Sequence, residues 1–412
     1  PVQKTSLEPE RLSAGLVIVD TARGQSADTN TLWIDGVEIV RKPLLLLEDL
    51  ALRAGSLVIE ESALVKGDAV LAGQASLEVS APRLQLRGGI AVTEGSSFVV
   101  DGAVIDSEQQ YVTQYWLDTA TGGSIALRDV QLYTRFPQFL RSKAGCSLLL
   151  DRFQSLMAAT HIETEPSAQV TITDSSQIGE LVLYPGARVN VSASDYILVW
   201  LFTPSGTTGT YSLPDGSSVN QFSLPNPFDL SVTNTTNVLW GLVSYPGSNV
   251  TFTDSHLLVA GLLFLGSTQQ ALSGYQNGGP LPDLSGLSDR TLVFQNSTVD
   301  IWNFYPSEGS DLQLNDCTFG EMLAFGHARA VITSSGCDGS GGFLGTEDNS
   351  IVEVYSSRLD TDITTFDDSN LLLDGCTVHG TIRATGNSTV TLRNTTVDGE
   401  LMEYDGAKII VE

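Results

Sequence analysis

The sequence is poor in positive charge. Its 21 Lys and Arg, only five of them Lys, stand against 48 Asp and Glu and leave a formal charge of −27. A chain so short of cations lacks the basic footprint that nucleic-acid phosphates need and is repelled by an anionic membrane surface. Ca²⁺, basic partners and neutral glycans stay open. Cysteine is scarce as well: Cys146, Cys317, Cys337 and Cys376 are too few for a disulfide scaffold, and no CxxC pair points to zinc or redox chemistry. No apolar run reaches the ~18 residues of a membrane span, so membrane insertion is not expected. Pro1 opens no basic-then-apolar leader, which predicts a processed or trimmed start.

What is abundant is Gly, Ser, Thr, Asn and Asp beside Val, Leu and Ile, the mixture of many short strands joined by tight turns. With 412 residues the chain could hold two or three globular domains or one solenoid, and internal repetition decides between them. Six segments share a frame of apolar, any, apolar, any, turn-former, small, any, apolar. They start at Leu292, Leu312, Ala330, Val352, Leu371 and Val390, at spacings of 20, 18, 22, 19 and 19 residues. The frame runs back through Val250, Leu230, Val189 and Val170, then more loosely through Leu148, Ile125, Phe98, Leu77 and Leu57, and ends at Ile409. Loops interrupt it near 106–123, 133–145, 198–229 and 267–290.

Within each unit, alternation of period two marks a short strand with one face inward. The fifth column holds Asp174, Asn234, Asp254, Asn296, Asp316, Ser334, Ser356, Gly375 and Asn394, residues that accept left-handed backbone or cap a turn. The sixth holds only small residues: Ser175, Ser194, Thr235, Ser255, Ser297, Cys317, Ser335, Ser357, Cys376 and Thr395. Such a column implies tight inward stacking, with the two cysteines as packing residues. Thirteen to fifteen residues into each unit a third column is nearly all aromatic: Tyr184, Phe202, Tyr245, Phe264, Tyr305, Phe325, Phe343, Phe366 and Tyr404. At a rung spacing of about 4.8 Å these rings would form a ladder, either stacked inward or facing out as a platform for sugars. Trp200, Trp240 and Trp302, each in an apolar run, pose the same choice.

Short strands with an Asx turn and stacked small and aromatic columns resemble the pectate-lyase-like superfamily of right-handed parallel β-helices. The resemblance covers residues 56–412 and implies an all-β solenoid with rungs of about 19–22 residues. Residues 1–55 fall outside the frame, and Leu44-Leu-Leu-Leu-Glu-Asp-Leu predicts an N-terminal cap. The frame breaks off in mid-strand at Lys408–Glu412. An open strand end is an aggregation hazard, so continuation, or cover by another domain or subunit, is expected there.

The enzymes of that superfamily include pectate lyases and polygalacturonases, whose motifs are not met. Asp367-Asp368 and Gly326-His327-Ala are fragments of the polygalacturonase set, and Asp367-Asp368 reads as a solvated turn. Arg135-Phe-Pro-Gln-Phe-Leu-Arg141 misses the lyase pattern Arg-x-Pro-x-x-Arg by one residue. No GxSxG, HExxH or phosphate loop occurs, and the four histidines lie in separate units. Sequons at Asn190, Asn234, Asn249, Asn296, Asn387 and Asn394 would accept glycans in a secreted eukaryotic protein, but the turn and small columns alone generate several of them.

One constellation carries potential chemistry. Just after each first strand and turn stand Asp300, Gly320, Asp338, Asp360, His379 and Asp398, so Asp338, Asp360, His379 and Asp398 would form a polar row along one edge. Like carboxylates one rung apart repel, which raises one pKa or recruits a cation. The row is therefore the candidate for acid/base catalysis, or for calcium at Asp338, Asp360 and Asp398; the bland alternative is a solvated edge of an acidic protein. No cofactor is otherwise implied. The sequence as a whole predicts a non-enzymatic extracellular or cell-surface β-helix, an adhesin, stalk or carbohydrate-binding module with polysaccharide or surface-protein partners. A polysaccharide lyase or glycoside hydrolase is the alternative.

Overall fold

In the computed structural model the described residues are 10–11, 17–19, 31–32, 36–46, 49–111, 114–156, 158–165, 167–183, 186–202, 208–212, 218–223, 229–239, 242–244, 249–260, 263–265, 290–299, 303–306, 310–337 and 343–412. No helix occurs among them. The chain divides into two units, one formed by 1–182 with 186–196, the other by 183–185 with 197–412. Each is a parallel β-helix whose rungs contribute three strands to three parallel ladders.

In the first unit the leading strand of each rung runs from Val37–Val40 through Ser56–Ile59, Ser76–Val79, Ser97–Asp101, Ser124–Arg128, Ser147–Asp151 and Gln169–Thr173 to Arg188–Ser192, each paired in parallel with the next. In the second unit the same ladder includes Asp229–Thr233, Asn249–Thr253, Arg290–Gln295, Ser310–Asn315, Arg329–Thr333, Ile351–Tyr355, Asn370–Asp374, Thr389–Arg393 and Lys408–Val411. Alternation does what a pleat requires: Leu371 and Leu373 are buried while Leu372 between them is half-buried. Each such buried aliphatic side chain stabilises its rung by about 1.5–3 kcal/mol. Phe252 and Phe294, opposite one another in this ladder, stack inward with centroids 4.9 Å apart and planes 6° from parallel.

The turn column is left-handed throughout its described members, from φ 49° at Asp174 to φ 45° at Asn394, and it includes Ala193 at φ 48°. That bend points the next residue inward. Ser175, Ser194, Thr235, Ser255, Ser297, Cys317, Ser335, Ser357 and Cys376 are buried, and Thr395 is half-buried. Their side chains form two hydrogen bonds with a common logic. Each donates to the carbonyl two residues back, as Ser194 to Ser192 and Ser335 to Thr333. Hydroxyls of the column also accept the backbone N–H of the equivalent residue one rung earlier, as Ser194 from Ser175, Ser297 from Ser255, Ser357 from Ser335 and Thr395 from Cys376. Phe153, which follows left-handed Arg152 and donates its N–H to Ser175, shows that the position also admits a large buried ring, and a residue without an acceptor would strand the buried N–H one rung earlier.

Residues 37–52 pair as a rung ahead of the sequence frame: Val37–Val40 lies against Ser56–Ile59, Leu44–Leu46 against Ala63–Val65 and Leu50–Leu52 against Ala69–Leu71. In the first of these strands alternation is out of phase with the frame, since Glu38 stands opposite Leu57 while Val37 and Ile39 are exposed; in the other two it is in phase, with Leu44, Leu50 and Leu52 buried opposite Ala63, Ala69 and Leu71.

The aromatic column is not one ladder. Phe264 pairs with Tyr305, whereas Phe343 lies opposite Asp362, and Phe325, Phe366 and Tyr404 directly follow the third strands of their rungs. Corners of unequal length cause this: one residue separates the second and third strands after Phe319, five after Cys337. Phe325, Phe343 and Phe366 are half-buried and Tyr404 is exposed. Tyr184, Tyr245, Trp240 and Trp302 lie outside the described residues, as do the side chains of Trp200, Phe202, Phe264 and Tyr305.

Candidate functional site

Of the predicted polar row, Asp338 and Asp300 lie outside the described residues. The structure places Asp360, His379 and Asp398 in succession, their N–H groups donating to the carbonyls of Cys337, Leu359 and Val378. His379 Nδ1 is 2.5 Å from Asp398 Oδ2, and its Nε2 is 3.9 Å from Asp360 Oδ1. Arg358 Nε donates to both oxygens of Asp360, at 2.9 and 3.0 Å. The edge therefore alternates carboxylate and imidazole. Asp360 and Asp398 are two rungs apart, about 10 Å by strand spacing, with the imidazole between them. The expected repulsion between adjacent carboxylates does not arise for this pair. Among the described residues no three potential metal ligands converge. Asp367-Asp368 is an exposed turn, with Asp367 at φ 54°.

A second site is built in the first unit by a single departure from regularity. The corner between second and third strands takes three residues at 66–68, 87–89 and 135–137, but eight at 108–115. Gln109, 3% exposed, anchors that longer corner. Its Nε2 donates to Thr134 Oγ1 at 3.1 Å, and its Oε1 accepts the Tyr115 N–H at 3.2 Å. Gln138, also buried, accepts from the Ser107 hydroxyl at 2.8 Å. Burial pushes the Tyr115 phenol up from its ordinary value, while Tyr111 projects into solvent.

Beside this wall runs a cleft of about 770 Å³ lined by Arg83, Asp106, Gln110, Tyr133 and Arg135 among others. Arg83 is ion-paired to Asp106, whose register partner Tyr133 faces outward and is 36% exposed. Arg87 Nε meets Glu108 Oε2 at 2.6 Å, and Gln85 donates to the other oxygen of Glu108. Charge-assisted pairs of this kind present donors and acceptors in fixed directions.

Past the corner, the third strands carry an outward aromatic row. Trp116, Phe139 and His161 are register partners. The indole of Trp116 lies over Gly89, where a β-carbon would come within 3.4 Å of its Nε1. The Arg141 guanidinium is 5.5 Å from the Trp116 ring centroid, and Phe139 and His161 have centroids 4.5 Å apart. Alongside, Lys143 pairs with Asp118 at 3.0 Å and His161 with Glu163 at 3.1 Å, which holds the Glu163 carboxyl below its usual range. The two arginines of the near-miss lyase motif thus have separate tasks, Arg135 lining the cleft and Arg141 covering an indole.

Sequence reasoning missed this site. The available signal was the spacing from Phe98 to Ile125, 27 residues where its neighbours in the frame show 21 and 23. No family model matches the sequence, and no curated protein is similar to it.

Proposed function

We propose that this chain is a non-enzymatic β-helix of the extracellular space or cell surface that binds carbohydrate, serving as an adhesin, stalk or binding module. A right-handed coil and kinship with the pectate-lyase-like superfamily belong to the same proposal. The observation that carries it is the cleft beside the 108–115 corner. A half-open tyrosine ring suits the C–H face of a pyranose, and the Arg83–Asp106 pair offers donors and an acceptor for neighbouring hydroxyls. Loops on a rigid scaffold are where binding residues concentrate, and this corner is lengthened where its neighbours are minimal.

The second reading, a lyase or glycoside hydrolase, draws on His379 held between Asp360 and Asp398. Both readings are tested by presenting the chain with a panel of neutral and acidic polysaccharides, with and without Ca²⁺, and measuring retention and product release in the same samples. Retention without release, abolished in Tyr133→Ala, is the expected result. Release of product that His379→Ala abolishes would replace the binding reading with the enzymatic one.

A further inference from the structure

Two polar atoms in adjacent rungs of the third ladder are left unsatisfied. Among the described residues, Asp118 Oδ1 and Arg141 Nε are buried without a hydrogen-bond partner, although buried polar groups are nearly always paired. Asp118 and Arg141 are register partners on one face, a strand spacing apart, so Nε–H donating to Oδ1 would satisfy both at once. Arg141 lies elsewhere: its guanidinium is 5.5 Å from the centroid of the Trp116 ring, which is 36% exposed. Asp118, 8% exposed, is left with Lys143 on its other oxygen at 3.0 Å. A cation over a half-open indole is held more weakly than one hydrogen-bonded to a buried carboxylate. Arg141 therefore sits in the weaker of its two seats and can leave it at little cost.

We infer that Trp116 is the binding site of an organic cation, a guanidinium or alkylammonium group, for which Arg141 is the resident stand-in. The incoming cation takes the indole, and Arg141 withdraws to Asp118, which pairs both orphaned atoms in the bound state. The charge of the surroundings agrees. Asp118, Glu163 and Glu165 stand against Arg141 and Lys143 on these strands and their ends, one negative charge in excess with His161 counted neutral. At long range a chain of net charge −27 also draws cations toward it. This site is separate from the Tyr133 cleft and does not depend on the carbohydrate reading.

The test follows indole fluorescence of the whole chain, with Trp116→Phe as the blank that removes the contribution of this ring. Tetramethylammonium chloride should give a saturable change that sodium chloride at equal ionic strength and neutral tert-butanol do not. Arg141→Ala, which empties the indole, should bind the cation tighter than the parent, and Asp118→Asn, which removes the receiving carboxylate, should bind it at least about fivefold more weakly. Should Asp118→Asn fail to fold, Arg141→Ala decides alone. A tri-arginine peptide binding tighter than tetramethylammonium would place the cation on a partner chain, and weaker binding would make it a free small molecule. No saturable change, the same change with tert-butanol, or equal affinity in Arg141→Ala and the parent overturns the assignment.

Discussion

The backbone N–H of Cys317 donates to Ser335 Oγ, one rung further along, at 3.1 Å, while that hydroxyl donates at 2.8 Å to the carbonyl of Thr333 in its own rung. Replacing Ser335 with Ala would strand the buried Cys317 N–H, at about 1–3 kcal/mol, while the Thr333 carbonyl keeps the Asp316 N–H. Ser335→Cys should be milder, because Cys317 and Cys376 already occupy this column with Sγ–H directed at the Asn315 and Asp374 carbonyls. Urea denaturation of the two variants tests this; equal losses would show that the hydroxyl contributes volume alone.

Ala193 is exposed and holds φ 48°, a conformation its β-carbon disfavours. Ala193→Gly should therefore raise stability by about 0.5–1 kcal/mol, despite the added freedom of glycine in the unfolded chain. A thermal midpoint below that of the parent would contradict this account of the turn.

Two carboxyl groups should respond to pH in opposite senses. Glu163, held low chiefly by its hydrogen bond to His161, favours the native state above its unfolded pKa, and that contribution is lost as pH falls through the depressed value. Glu347 is pushed up, first by burial and then by Asp348 and Asp367. Its native form holds its proton longer, so stability declines as pH rises from the ordinary glutamate range through the raised value. Glu347→Gln should stabilise the protein near pH 7 and change little near pH 4, whereas Glu163→Gln should destabilise near pH 7 and matter less near pH 4. Denaturation midpoints at both pH values decide, and parallel behaviour of the two variants would refute the assignment.

All four cysteines are free and buried, and burial pushes the thiols of Cys317 and Cys376 up. A thiol kept protonated and shielded is a poor nucleophile. Alkylation followed by mass measurement should find no modified cysteine in the native protein and four after denaturation. Rapid native modification of Cys317 would place the small column at the surface.

The turn and small columns were legible in the sequence because each rung repeats the same two demands: left-handed backbone at one position and a small donor–acceptor at the next. The alignment of Asp360, His379 and Asp398 was legible for the same reason, since Leu359, Val378 and Val397 ahead of them keep an even spacing of 19. The aromatic column failed because counting forward from the first strand crosses corners of variable length, which shifted Phe343 to the level of Asp362. The cleft at Tyr133 and Arg135 was hidden for a related reason. It depends on Gln109, whose Nε2 finds its partners 25 to 29 residues away, in no column, so periodicity carries no trace of them.

The small column makes rungs interchangeable. The partner that satisfies Ser255 is Ser297, that of Cys317 is Ser335, and that of Cys376 is Thr395, three versions of one contact across differing sequences. A gene duplication or deletion that removes or adds one whole rung presents its neighbours with an equivalent acceptor and donor. Length can then drift in steps of one coil while every flanking residue stays as it is, and corners such as 108–115 can acquire or lose ligands without disturbing the spine beneath them.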